Sequence, residues 1–172
     1  PQDPMLLATK TVMGDVFLFD VRKHPSIPRD PICRPNWILK GHTKEGYGLS
    51  WSPLRKGFIA SGSDDQRVCV WDIQGNADPL DVQPLISYKE QGDIVEALRR
   101  GEVTSGRFVA PFDDHVLASC GDDCCVLFYD IRQPHSASKL RAHEKEVNTI
   151  QFHPQERYLF VTASSDSTLA LW

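Results

Sequence analysis

An all-β chain folded as a β-propeller is predicted by three observations on the sequence. Gly41-His42 is followed by Trp71-Asp72, with twenty-nine positions from histidine to tryptophan. Ala142-His143 and Trp172 repeat that interval of twenty-nine. Two further copies have drifted ends and close on Phe19-Asp20 and Tyr129-Asp130. Self-similarity at about forty to fifty-odd residues marks a unit that cannot bury its own apolar face and must stack on neighbours.

Within each copy the elements follow in one order. In the last, Val147 to Phe152 alternates and puts Ile150 and Phe152 on one face, as a half-buried strand does. His153-Pro154 stops it, because proline cannot donate to a ladder. Tyr158 to Thr162 reads as the second strand, Ser164 to Ser167 as the turn, and Thr168 to Trp172 as the third strand. The copy opening at Gly41 repeats this with Gly48–Trp51, Ser52-Pro53, Phe58–Ser61, the Ser63-Asp64-Asp65 turn and Val68–Trp71. Asn36–Leu39 and Pro84–Tyr88 are candidates for fourth, outer strands. In the middle copy, Val103–Phe108, Val116–Ser119, Gly121-Asp122-Asp123 and Cys125–Tyr129 fit the same order. That register puts Arg99 where histidine stands elsewhere and makes 91–100 an insertion. A rival register starts the strand at Ile94-Val95 and needs a longer gap inside the blade. The first is preferred, because insertions are tolerated better between sheets than within one.

Gly-His and Trp-Asp anchors on such a period are the signature of WD repeats. The expected blades are 1–40 (partial), 41–90, 101–141 and 142–172 (incomplete), about three to four of an expected seven-bladed ring. The chain is therefore expected to be a fragment, or the ordered part, of a longer one. Pro25, Pro28, Pro31 and Pro35 mark an extended surface connection between the first two copies.

Composition narrows the function classes. Of 172 residues 41% are apolar and 24% charged, ordinary for a folded domain. No run approaches a membrane-spanning length, so no membrane partner is expected. A net charge of −4 argues against free nucleic acid as the main partner, since that binding rests on dense lysine and arginine. Of the five cysteines, Cys69, Cys124 and Cys125 fall in apolar strand runs, and Cys120 is near them. Buried thiols are expected, with no paired C-x-x-C for a metal and no cofactor.

The anchors themselves read as structure. His42, Ser61, Asp65 and Trp71 match a relay in which a turn Asp fixes an imidazole, the imidazole reaches a hydroxyl, and the hydroxyl reaches an indole N–H. His143, Thr162, Asp166 and Trp172 hold the same offsets, and Ser119, Asp123 and Tyr129 keep part of the set. Such a relay satisfies each polar group buried in the blade. A Ser-His-Asp nucleophile triad is the competing reading. It loses because the set recurs in successive blades and Thr162 replaces the serine. The middle blade, without a histidine, is expected to be held mainly by apolar packing.

The loops at one end of the blades carry the candidate site. Three positions past each histidine or its substitute stand Glu45, Glu102 and Glu146. Asp64 and Asp122 precede the relay aspartates. Tyr47, Thr104 and Asn148 follow two residues after the glutamates. Arranged radially, these groups form an acidic arc suited to a lysine- or arginine-bearing peptide, since carboxylates accept charge-assisted bonds, bidentate from arginine. The bland reading is a set of solvated turn carboxylates.

Several stretches resemble one WD-repeat family: Pro1-Gln2 through Ala8-Thr9-Lys10-Thr11, Phe19-Asp20 with Lys23-His24-Pro25, Gly41-His42 with Lys44-Glu45-Gly46-Tyr47-Gly48-Leu49-Ser50-Trp51, and Glu144 to Phe152. The family is the MSI-like, histone-binding and retinoblastoma-binding one that includes the small subunit of chromatin assembly factor. The likeness is most specific over 1–72, looser over 140–172 and weakest over 73–130. It implies a seven-bladed, non-catalytic subunit of chromatin assembly and modifying complexes, nuclear with the cytoplasm a second location. Implied partners are histones three and four, through a tail peptide, and chromatin-complex subunits. By motif match Glu45, Tyr47, Glu146 and Asn148 look like pocket members, with Asp122. Glu102 takes that role in the preferred register and Glu96 in the rival. The family's groove for a helix of histone four uses an N-terminal helix and a late loop that do not lie in this sequence.

Two other classes compete. Phe19-Asp20-Val21-Arg22 and Tyr129-Asp130-Ile131-Arg132 resemble the aromatic-Asp-x-Arg motif of substrate receptors for cullin-type ubiquitin ligases. An enzyme would need a glycine-rich phosphate loop, a metal cluster or a non-repeating triad, and the sequence has none.

Overall fold

Every second residue of the central strands points to a different neighbouring sheet, and this decides where the core lies. The computed structural model describes residues 3–75, 78–89, 103–108, 115–156 and 159–172. They form four antiparallel sheets. The first joins β1 (Leu6–Lys10), β2 (Val16–Asp20) and β3 (Trp37–Leu39). The second joins β4 (Leu49–Trp51), β5 (Phe58–Gly62), β6 (Arg67–Asp72) and β7 (Ile86–Lys89). The third joins β8 (Val103–Phe108), β9 (Val116–Gly121), β10 (Cys125–Asp130) and β11 (Ser136–Arg141). The fourth joins β12 (Val147–Phe152), β13 (Phe160–Ser164) and β14 (Leu169–Leu171). Strands pair in sequence order within each sheet. β4 packs on β8 and β8 on β12, so the inner strands succeed one another as the blades of a propeller do.

The core lies between blades. β5 is buried along its whole length because its two faces meet different neighbours. Ile59 joins Val16, Leu18, Leu39, Cys69 and Trp71 on the side of the first sheet. Phe58 and Ala60 join Val68, Val70, Tyr88, Leu117, Leu127 and Tyr129 on the side of the third. A third cluster, with Ala118, Val126, Ile150, Phe152 and Phe160, closes the third sheet on the fourth. Strands covered on both faces read as near-continuous apolar runs, which explains Phe58–Ala60 and Val68–Trp71. Full burial of Trp71 contributes roughly 2–3 kcal/mol.

The turns between second and third strands share one local design. The relay aspartate accepts the amide two residues on: Arg67 N–H to Asp65 (3.0 Å), Cys125 N–H to Asp123 (3.1 Å) and Thr168 N–H to Asp166 (2.9 Å). The residue between them is left-handed in all three, at Gln66 (φ 65°), Cys124 (φ 64°) and Ser167 (φ 70°). An Asx side chain that closes its own turn is a short-range device, so this part is set locally.

Several expectations need correction. The second strand of the last blade is Phe160–Ser164, with Leu159 before it rather than in it; Tyr158 lies outside the described residues. Ser164 belongs to that strand, and the turn is correspondingly shorter. Cys124 is a turn residue, not part of an apolar strand, because the turn needs a left-handed position there. None of the five cysteines is in a disulfide, but only Cys69, Cys120 and Cys125 are buried; Cys33 is exposed on the proline-rich connection. β8 occupies Val103–Phe108, the strand of the preferred register, while Arg99, Glu102, the rival strand at Ile94-Val95 with Glu96, and the 91–100 insertion lie outside the described residues.

Candidate functional site

The four groups of the last blade's relay form one continuous chain. His143 Nδ1 lies 3.0 Å from Asp166 Oδ2, and its Nε2 lies 2.7 Å from Thr162 Oγ1. The Trp172 indole N–H donates to the same hydroxyl at 3.0 Å. A carboxylate only accepts, so Nδ1 presents its N–H to Asp166, and the Thr162 hydroxyl links Nε2 to the indole N–H.

The second blade does not close in that way. His42 Nδ1 faces both Asp65 oxygens at 3.2 Å, but its buried Nε2 has no hydrogen-bond partner among the described residues. Trp71 donates its indole N–H to the Lys40 carbonyl at 2.8 Å instead of to Ser61. Among the described residues Ser61 reaches only the Gly62 carbonyl, at 3.5 Å. The cause lies between blades: Lys40 N–H bonds to Val82 and Leu39 bridges to the same residue, which brings the Lys40 carbonyl over Trp71. The indole then meets His42 edge-on, with centroids 5.8 Å apart.

The middle blade keeps polar ties beside its apolar packing. Ser119 Oγ and Tyr129 Oη lie 3.0 Å apart in the interior. The Lys139 amine pairs with the nearly buried Asp123 carboxylate at 2.9 Å. A cation from the outer strand thus partners the relay aspartate, as an imidazole does in the second and fourth blades.

Asp65 ties this frame to the loops. Burial pushes its carboxyl up, but hydrogen bonds from His42 and from the Thr43 and Arg67 amides outweigh that and hold it at about 2. A group depressed in the folded state stabilises above its unfolded value, here the ordinary 3.8, and loses that contribution as pH falls through about 2. Stability measured by urea unfolding is expected to drop between about pH 4 and pH 2. The drop should be shallower in Asp65→Asn; equal slopes in the two proteins would contradict the assignment.

The loops preceding β4 and β12 are held in matching fashion. The Glu45 carbonyl accepts the Asp64 N–H at 2.9 Å, and the Glu146 carbonyl accepts the Ser165 N–H at 3.1 Å. Ser63 Oγ donates to the Lys44 and Glu45 carbonyls, and Ser164 Oγ to that of Lys145. With its carbonyl bonded back into the blade, each glutamate is left exposed. Tyr47 is 82% exposed beside Glu45. Asn148 sits at a bulge between Val147 and Thr149 and donates to Ser165 Oγ at 3.1 Å. β8 has a bulge at the corresponding place, between Val103 and Ser105, on which Thr104 falls. Bulges re-aim one side chain without disturbing the rest of a strand. Asp122 occupies the position of Asp64 in the third blade's turn.

The structure thus groups Glu45, Tyr47 and Asp64 at one station, and Glu146 and Asn148 at another, on either side of the third blade. Two participants carried no sequence signal. Ser165 stands at the offset that Asp64 and Asp122 hold in the other turns. Lys10, from the partial first copy, sends its amine to the Gly62 carbonyl, close to Asp64 and Asp65. Burial lowers Lys10 to about 8 against the pull of Asp65, Cys69 and Asp64. A groove of about 330 Å³ runs between Lys10, Glu45 and Tyr47.

The two Asp-x-Arg motifs close on themselves. Arg22 chelates Asp20 at 2.7 and 2.9 Å, and Arg132 does the same to Asp130. Among the described residues there is no cluster of metal-ligating side chains and no helix long and apolar enough to cross a membrane.

Blades, anchors and turn geometry together define a WD-repeat propeller chain, and residues 33–72 and 135–172 match the WD domain, G-beta repeat family. The chain is also 36% identical, over all of its 172 residues, to the WD-40 repeat-containing protein MSI3 of Arabidopsis thaliana. It spans 38% of that relative's length. The WD-repeat matches and this identity together support the WD-repeat, MSI-like family for the chain.

Proposed function

We propose that this chain is part of a non-catalytic, nuclear WD-repeat scaffold of chromatin assembly and modifying complexes, and that its acidic loop face holds basic histone or corepressor tails. The observation that carries the reading is the repeated station at Glu45 and Glu146. Two blades present an exposed carboxylate at one offset, each backed by a backbone bond that orients its loop. Tyr47 and Asn148 add a ring face and an amide beside the carboxylates. An arginine can take charge-assisted, bidentate bonds from such groups, and an extended tail can cross from one station to the next. Resemblance to the histone-binding family supplies the identity of the tail.

The test uses the full-length protein and a fluorescent N-terminal peptide of histone three. Glu45→Ala combined with Glu146→Ala is expected to weaken binding by roughly tenfold or more, and wild-type affinity is expected to fall as salt rises. Unchanged affinity in the double variant would remove these residues from the site.

A further inference from the structure

The proline-rich connection between β2 and β3 forms a second surface, at the end of the first sheet away from the acidic loops. It encloses a groove of about 760 Å³. Three cations line it, Lys23, Arg29 and Arg34, against one carboxylate, Asp30. Phe19, Pro28 and Ile32 supply an apolar wall. This is a local positive excess on a chain whose net charge is −4.

The groove is built rather than loose. At its closing end, Asn36 Oδ1 accepts the Asp20 N–H at 2.7 Å and meets His24 Nε2 at 2.9 Å, while the Asn36 N–H bonds to Leu18. His24 packs on Phe19, with ring centroids 5.6 Å apart. In the middle, Asp30 caps the Ile32 amide and takes a bidentate bond from Arg34 at 2.7 and 2.9 Å. Lys23 lies over the Trp37 ring at 5.3 Å. Pro25, Pro28, Pro31 and Pro35 fix φ along the loop and lower the entropy lost when a ligand binds. Arg29 makes no hydrogen bond or ion pair with any described residue, so its charge is free for a ligand.

We infer that this groove docks an acidic peptide segment carrying apolar side chains, at a site separate from the acidic loop face. Carboxylates of the segment pair with Arg29 and Lys23, and an apolar side chain between them rests on Pro28 and Ile32. Ile32 is 62% exposed, and covering it removes apolar surface from water. Nucleic acid fits less well: phosphate binding needs a row of unpaired cations, while Asp30 already holds Arg34. The opposite charges of the two ends allow one scaffold to hold a basic tail and an acidic partner segment together.

The experiment uses the full-length protein and a short fluorescent peptide of alternating glutamate and leucine. A lysine–leucine peptide and a short DNA duplex serve as comparison probes. Arg29→Glu is the first variant, because the side chain is exposed and unpaired and the fold should be untouched. Arg29→Glu is expected to weaken the acidic peptide by roughly tenfold. Lys56→Glu, on the neighbouring blade, carries the same charge change and is expected to leave affinity unchanged. Glu45→Ala with Glu146→Ala should also leave it unchanged, which separates this site from the loop face. Three results would overturn the inference: equal losses in Arg29→Glu and Lys56→Glu, tighter binding of the DNA duplex than of the acidic peptide, or no loss in Arg29→Glu.

Discussion

Replacing Gly46 by alanine is expected to destabilise the second blade by about 3 kcal/mol, at the upper end for overpacking, because the new methyl meets backbone. An added Cβ would lie 2.5 Å from Ser63 Cα, 2.8 Å from the Gly62 carbonyl oxygen and 3.0 Å from Lys10 Nζ. The lysine tip can move, but Ser63 cannot. Its hydroxyl is bonded to the Lys44 and Glu45 carbonyls at 2.8 and 2.6 Å, and retreat breaks the Asp64-to-Glu45 bond as well. Loop and turn must therefore part, and tail-peptide binding is expected to fall with stability. Gly75 is the control. No described residue lies within 4 Å of its Cβ position, and its φ is 78°, so Gly75→Ala carries conformational strain alone. That strain costs about 1 kcal/mol. Urea unfolding of the full-length protein checks both, and a Gly46→Ala loss no larger than that of Gly75→Ala would refute the packing argument.

Thr162→Val is expected to cost about 2–3 kcal/mol, because one lost hydroxyl strands two partners in and beside the interior. Valine keeps the volume and the β-branch of a side chain that is fully buried. It removes the atom that joins His143 Nε2 and the Trp172 N–H. Ser61→Ala, at the same offset in the second blade, is expected to cost well under this, about 1 kcal/mol or less. Ser61 holds only a long bond to Gly62, and Trp71 is already satisfied by Lys40. Thr162→Ser should retain most of the stability, since it keeps the hydroxyl. Equal losses at Thr162 and Ser61 would show that the two blades share one relay after all.

The contrast between those two positions shows how far a one-dimensional reading reaches. His42, Ser61, Asp65 and Trp71 have the spacing of His143, Thr162, Asp166 and Trp172, yet only the second set closes. Both sets contain a donor, an acceptor and a hydroxyl at matched offsets. The difference comes from Leu39 and Val82, residues of adjacent blades that no periodicity links to Trp71. Lys139 is a similar case: its position on an outer strand says nothing of the Asp123 carboxylate it meets. Glu45 and Glu146 were legible because they sit at a fixed count from a repeated anchor. Ser165 and Lys10 were not, since one breaks the pattern and the other lies in a copy that has lost its anchors. The middle copy was legible in its strands, and its glutamate at 102 stays a matter of spacing alone.

Sequence by itself determined the repeating unit, the strand order, the Asx-closed turns and the offsets of the exposed glutamates. Each of these follows from interactions within a few residues, or from a burial pattern that every blade must satisfy in the same way. Tertiary structure alone decided which partner each buried polar group takes, where Lys10 and Lys139 put their charges, and how three prolines and three cations enclose a groove. Those outcomes depend on contacts between blades and across long connections, where a neighbouring carbonyl a few ångströms away can outbid the partner that spacing suggests.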